Sequence, residues 1–228
     1  MSMFSRWRLP LASALCAVCF VNPASADTLL DTGTPDPGFL GYYGFDVFVG
    51  QSVAIAFTPT QSYSFDAASL WMMSNDFDAA GRSLTVSLQT SAGTASSAVA
   101  PSGTSLESWS FATTAVGWTP VMETVSSTLH PLLAAGSTYW IVAQSNEAAG
   151  VDPVWVVGPG NGSSYTMGNI DFASSPNWQV GLTSGPPAAL ISATLAPVPE
   201  PGTLALGLVG LPLMLGLARR RAKAAQAL

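Results

Sequence analysis

From Asp27 to Val198 the chain has no cysteine, one histidine and one basic residue, and each scarcity closes off a class of protein. The chain's two cysteines, Cys16 and Cys19, have the two-residue spacing of a redox or metal pair, but both sit inside an apolar N-terminal run. Without thiols beyond that run there is no disulfide, and stability must come from burial alone. With His130 as the sole histidine, a metal centre built on imidazoles or thiolates is excluded. Of thirteen acidic residues only Glu200 lies outside 27–198, while of seven Lys and Arg only Arg82 lies inside, leaving twelve acids against one base. Nucleic-acid binding needs clustered Lys and Arg to displace counterions, so nucleic acid is excluded as a partner. Attraction to anionic membrane surfaces fails for the same reason.

What is present begins at the two ends. Arg6 and Arg8 precede an apolar stretch from Leu9 to Val21, and Ala24-Ser25-Ala26 has the small-x-small form of a signal peptidase site. Residues 1–26 therefore read as a secretory signal peptide, cut before Asp27. A lipoprotein would need cysteine directly after the cleavage site; Cys19 is followed by Phe20 and Val21, still within the apolar run. At the other end, Pro199-Glu200-Pro201-Gly202 leads into sixteen uncharged residues, Thr203 to Ala218, then Arg219-Arg220-Arg221-Ala222-Lys223. A spanning helix needs roughly 20 apolar residues, with a lower limit near 17. This one is short and carries Gly207, Gly210, Pro212 and Gly216, each of which weakens a helix. Arg219, Arg220 and Arg221 set the topology by staying on the cytoplasmic side.

An ordinary C-terminal anchor helix is one reading of that tail. Its tripartite order, however, resembles the PEP-CTERM sorting signal of Gram-negative bacteria. The resemblance implies recognition by exosortase, a membrane protease-transpeptidase, and export to the cell surface or extracellular matrix. It makes Pro199, Glu200 and Pro201 the recognition residues, as substrate rather than catalyst, in the manner of other C-terminal signals whose hydrophobic tail is removed. The expected layout is a signal peptide (1–26), one domain (27–196) and a sorting and anchor segment (197–228).

The domain between is about the size that supports a single sizeable core. Its texture is β: Leu84, Val86 and Leu88 alternate with Ser83, Thr85, Ser87 and Gln89, as in a half-buried strand. Val53, Ile55 and Phe57 alternate with Ser52, Ala54 and Ala56, and Tyr139, Ile141 and Ala143 with Trp140, Val142 and Gln144. Further strands are expected at 44–49, 65–73, 107–113, 119–125, 154–157 and 189–195. Turn clusters separate them at 50–51, 75–81, 91–103, 134–137, 158–164 and 184–187. Many short strands between turn signals predict an all-β fold, an antiparallel β-sandwich or jelly roll. The succession of Ala54-Ile55-Ala56-Phe57-Thr58, Phe65-Asp66-Ala67-Ala68-Ser69-Leu70, Leu84-Thr85-Val86-Ser87-Leu88 and Leu133-Ala134-Ala135-Gly136-Ser137-Thr138-Tyr139-Trp140 is similar to the choice-of-anchor all-β domains. That family implies a β-sandwich without fixing an activity.

Candidate chemistry within the domain is sparse. Asn75-Asp76-Phe77-Asp78-Ala79-Ala80-Gly81 sets oxygens at alternate positions before a turn glycine, as calcium loops do, so Asp76 and Asp78 are candidate metal ligands. The competing reading is an exposed hairpin loop solvated by its acids. His130 would have to serve as the base of any triad, yet no Gly-x-Ser-x-Gly elbow accompanies it. No spacing among Asp66, Asp76, Glu107, Glu123, Asp152 and Asp171 identifies a glycosidase pair. Six tryptophans remain after the leader; of these Trp118 and Trp178 lie near turns, where an indole can stack on a sugar ring, although large aromatics equally serve a core. Three function classes follow: a non-enzymatic surface or matrix protein associated with exopolysaccharide, a carbohydrate-binding module, and a secreted hydrolase. No organic cofactor is implied.

Overall fold

The computed structural model describes residues 25–38, 41–92, 100–160, 166–171, 175–180 and 185–197. The leader with Cys16, Cys19 and Ala24 lies outside these residues. So do Pro199, Glu200, Pro201, the apolar segment 203–218 and Arg219, Arg220 and Arg221. Among the described residues there are thirteen strands and no α-helix, hence no helix long and apolar enough to cross a membrane.

The strands, numbered in chain order, form two sheets. One runs β1 (Ala26–Asp31), β13 (Ala189–Leu195), β4 (Tyr63–Ser74), β10 (Pro153–Val156), β2 (Gly44–Asp46). In that sheet β7 (Val121–Ser126) and β8 (Leu132–Leu133) also pair with β4. The other runs β12 (Ser175–Val180), β11 (Thr166–Asp171), β3 (Gln51–Phe57), β9 (Tyr139–Gln144), β5 (Ser83–Ala92), β6 (Ala100–Ala112). Every ladder is antiparallel. Alternation decides which side chains meet. Val53, Ile55 and Phe57 of β3, Leu84, Val86 and Leu88 of β5, and Tyr139, Ile141 and Ala143 of β9 join Phe65, Leu70 and Met72 of β4, Trp155 of β10 and Ile191 of β13 in one buried cluster. Both sheets thus feed a single core, and its mutual burial replaces the missing disulfides.

The alternate residues of β3 and β9 do not face water as a half-buried strand would. Ala54, Ala56, Trp140 and Val142 are buried as a second cluster, covered by Trp178 and Val180 of β12. Four strands went unread: β1, β8, β11 and β12. The expected turn at 91–103 is also narrower than predicted, since β5 continues to Ala92 and β6 begins at Ala100. Register shifts after Leu88 and Gln89 let those ends pair despite their Ser and Thr content.

A buried acid ties the two sheets together. Glu107 of β6 accepts the Ser127 hydroxyl at 2.5 Å, the Thr128 N–H at 2.8 Å and the Leu129 N–H at 3.3 Å, all from the β7–β8 connection. Burial acts to raise its pKa, but the hydrogen bonds from Ser127, Thr128 and Leu129 outweigh that and hold the carboxyl below its ordinary value of 4.5. A lowered carboxyl contributes stability that is fully present above the ordinary value and lost as pH falls through the folded one. Glu107→Gln should therefore cost about 2 kcal/mol at neutral pH, by stranding buried donors. The deficit should shrink in acid, as pH falls through the lowered folded value and the wild-type group is protonated too. Urea unfolding midpoints at neutral and acid pH measure this; an equal gap at both would deny Glu107 its charged role.

Candidate functional site

The loops 47–50, 75–82, 113–120 and 145–152 gather at one end of the strands, because β2, β4, β6 and β9 end there while β3, β5, β7 and β10 begin there. Backbone hydrogen bonds lock them to one another. Val49 N–H donates to Glu147 O at 2.8 Å, Asn75 N–H to Asp152 O at 2.9 Å, Ser74 N–H to Gly117 O at 2.9 Å and Gly117 N–H to Asp76 O at 2.7 Å. Such mutual bonding gives loop side chains fixed positions, which a binding site on loops requires.

Trp118 stands on this framework. Its indole is 56% exposed, and Nε1–H donates to Asn75 Oδ1 at 3.1 Å, so the ring is held while its surface stays open. Beside it is Phe77, 64% exposed, with ring centroids 5.6 Å apart and planes tilted by 58°. Gly117 makes that arrangement fit. Its φ is +57°, and a Cβ there would come within 2.9 Å of Phe77 Cδ1, so a side chain would drive the phenyl ring from its place. Two large aromatics held open to solvent cost the folded chain hydrophobic burial, and a rigid apolar platform with a polar rim is what they provide.

The rim is acidic. Asn75 Nδ2 donates to Asp46 Oδ1 at 3.1 Å and to Asp152 Oδ1 at 3.2 Å, bridging two carboxylates from different strand ends. Asp76 is buried: its Oδ1 accepts the N–H groups of Asp78 at 2.8 Å and Ala79 at 3.2 Å, and its Oδ2 is ion-paired with Arg82. Asp78 is exposed. The two acids expected to share calcium thus differ in burial, and Asp76 already has a cation beside it. Arg82 also reaches Glu147 at 3.6 Å, so the lone base of residues 27–198 is placed within this acidic end. Among the described residues no group of three or more His, Cys, Asp or Glu is set to hold a metal ion.

Adjoining this corner is an open cleft of about 600 Å³, lined among others by Phe48, Val49, Thr85, Ser110, Phe111 and Gln144. Its walls are hydroxyls, amides and phenyl rings, a neutral set suited to a polar, uncharged ligand.

The remaining sequence candidates fall elsewhere. Trp178, on β12 of the other sheet, is half-buried over Trp140 and does not join Trp118. Ala26 opens β1, exposed, opposite Thr194. His130 sits on a left-handed backbone (φ +45°), its Nδ1 3.2 Å from Phe65 O and 3.5 Å from Asp66 Oδ1. Ser127 Oγ accepts the His130 backbone N–H and donates to Glu107, so its proton is directed at a carboxylate rather than at the imidazole. Sequence reasoning missed Phe77 as the partner of Trp118, and it missed Asp46 entirely. The only signal for either is spatial, since 41 and 72 residues separate them from Trp118.

Comparison with known proteins finds no family model that matches this chain and no similar curated protein.

Proposed function

We propose that this chain is an exported, non-enzymatic surface or extracellular-matrix protein, built as a β-sandwich, that holds exopolysaccharide through the Trp118 corner. In this reading signal peptidase removes residues 1–26 after Ala24-Ser25-Ala26, and an exosortase reads Pro199-Glu200-Pro201 in the tail. The single observation that carries the carbohydrate assignment is the exposed Phe77–Trp118 pair, with the Trp118 indole fixed by Asn75. Pyranose rings present apolar C–H faces that aromatic rings accept, while ring hydroxyls bond to amides and carboxylates of the kind Asn75 and Asp46 offer. The neutral cleft, lined in part by Phe48, Val49, Ser145 and Asn146 of the loops 47–50 and 145–152, adds further sugar-compatible surface at the same end of the strands.

Affinity electrophoresis of the full chain through gels containing bacterial exopolysaccharide tests this directly. Retardation by a polysaccharide is expected, and Trp118→Ala should weaken it about tenfold, equivalent to about 1.4 kcal/mol. Because Trp118 is exposed, the variant should keep the wild-type melting temperature within a degree or two. Migration of the wild type unchanged across a panel of polysaccharides, or retardation untouched by Trp118→Ala, would remove the assignment.

A further inference from the structure

The corner holds a buried carboxyl oxygen with no donor. Asp152 is fully buried, at 0% relative exposure. Its Oδ1 accepts the Gly150 N–H at 2.7 Å and the Asn75 amide at 3.2 Å, the same amide that donates to Asp46 Oδ1. Its Oδ2 is buried and has no hydrogen-bond partner. A buried carboxylate oxygen without a donor costs free energy that water would otherwise supply. The nearest side-chain acid in this network is not a partner but a second carboxylate, Asp46, held to the same Asn75 amide. Arg82 is engaged with Asp76 and Glu147 instead.

We infer that Asp46 and Asp152 together form a calcium site, the ion taking the unanswered oxygen of Asp152 and the outer carboxylate of Asp46. Calcium takes six to eight oxygens at roughly 2.3–2.6 Å in a flexible shell, so two carboxylates with backbone carbonyls and waters suffice, and no third acid is needed. Asn75 is then the residue that orients both carboxylates, as groups outside a metal's own ligands commonly do. Asp46 is exposed and Asp152 buried, giving one side open for the ion and one closed behind it.

This site is distinct from the Asp76–Asp78 loop, whose buried carboxylate is already paired with Arg82. It shares Asn75 and Asp46 with the sugar-binding reading, but its readout is thermal and uses no sugar, so the two readings fail separately.

Thermal unfolding of the full chain in chelator and in 5 mM calcium chloride decides the matter. Calcium should raise the melting temperature by about 4 °C or more, as an ion that binds only the native state does. Asp46→Asn, at an exposed position that folding tolerates, should abolish the rise. Asp152→Asn should abolish it too, and in chelator should still fold, because an amide oxygen can keep accepting from the Gly150 N–H and Asn75. Asp78→Asn should keep the rise. A wild-type shift of less than 1 °C overturns the site. So does a rise that survives Asp46→Asn, or one lost only in Asp78→Asn, which would give the ion to the loop.

Discussion

Trp155→Ala is expected to destabilise the domain by about 3–5 kcal/mol, the usual cost of emptying a buried aromatic site. Trp155 is wholly buried on β10, between β4 and β2, with Met72 and Phe45 as its cross-strand partners. Its indole Nε1–H donates to Ala188 O at 3.0 Å. That carbonyl also accepts the Trp71 N–H at 3.0 Å, so truncation leaves a cavity rather than an orphaned acceptor. The loss should therefore track ring volume. Trp155→Phe should recover most of it, missing only the hydrogen bond at about 1 kcal/mol. For a domain of ordinary stability, about 5–15 kcal/mol, the alanine variant should unfold well below the wild-type urea midpoint. Coincident midpoints for wild type and Trp155→Ala would mean that the two sheets do not depend on this core.

The second large effect concerns the tail and belongs to the proposed sorting. Glu200→Ala should leave a full-length, membrane-bound precursor in cells that carry an exosortase, while the wild-type protein loses its C-terminal peptide and reaches the surface. Pro199 and Pro201 fix φ and disfavour helix at and before themselves, so on this proposal Glu200 would be offered to the exosortase as a single charge on an extended segment. The sixteen-residue apolar run behind it is short for a permanent anchor, and on the same proposal Arg219, Arg220 and Arg221 would hold its end in the cytoplasm until the exosortase acts. Mass spectrometry of the surface protein settles the point. Recovery of an intact tail ending in the arginine cluster would end the sorting hypothesis.

Legibility in the sequence followed alternation. β13 has the bounds that its pattern predicts, and β5 contains its expected Leu84-Val86-Leu88 face, because period-two burial leaves a direct trace. β11 and β12 leave no such trace: Thr166–Asp171 and Ser175–Val180 contain Gly, Asn, Ser and Pro, and pairing of β11 with β3 and of β12 with β11, not propensity, makes them strands. β1 was hidden by its position at the leader boundary, with an acid on each side of its Thr-Leu-Leu centre. At the site, Trp118 was legible from its flanking Gly117 and Pro120, the residues of a turn. Phe77 and Asn75 were in view only as parts of a loop. The pairing of Asp46 with Asp152 was beyond reach, since it exists only through the register that sets Asp46 opposite Val154.

That β1 pairs with β13 fixes the order in which the fold can finish. Asp27 lies opposite Ala193, so the first strand has no place in its sheet until the last one is available. A chain that emerges N-terminus first, at about 5–20 residues per second, keeps β1 waiting for roughly 10–30 s while the rest appears. Closing so long a loop is also entropically late, because non-local pairings are rewarded only after the intervening chain is ordered. The domain therefore stays threadable for as long as its C-terminal strand is held back, and it closes once that strand is released.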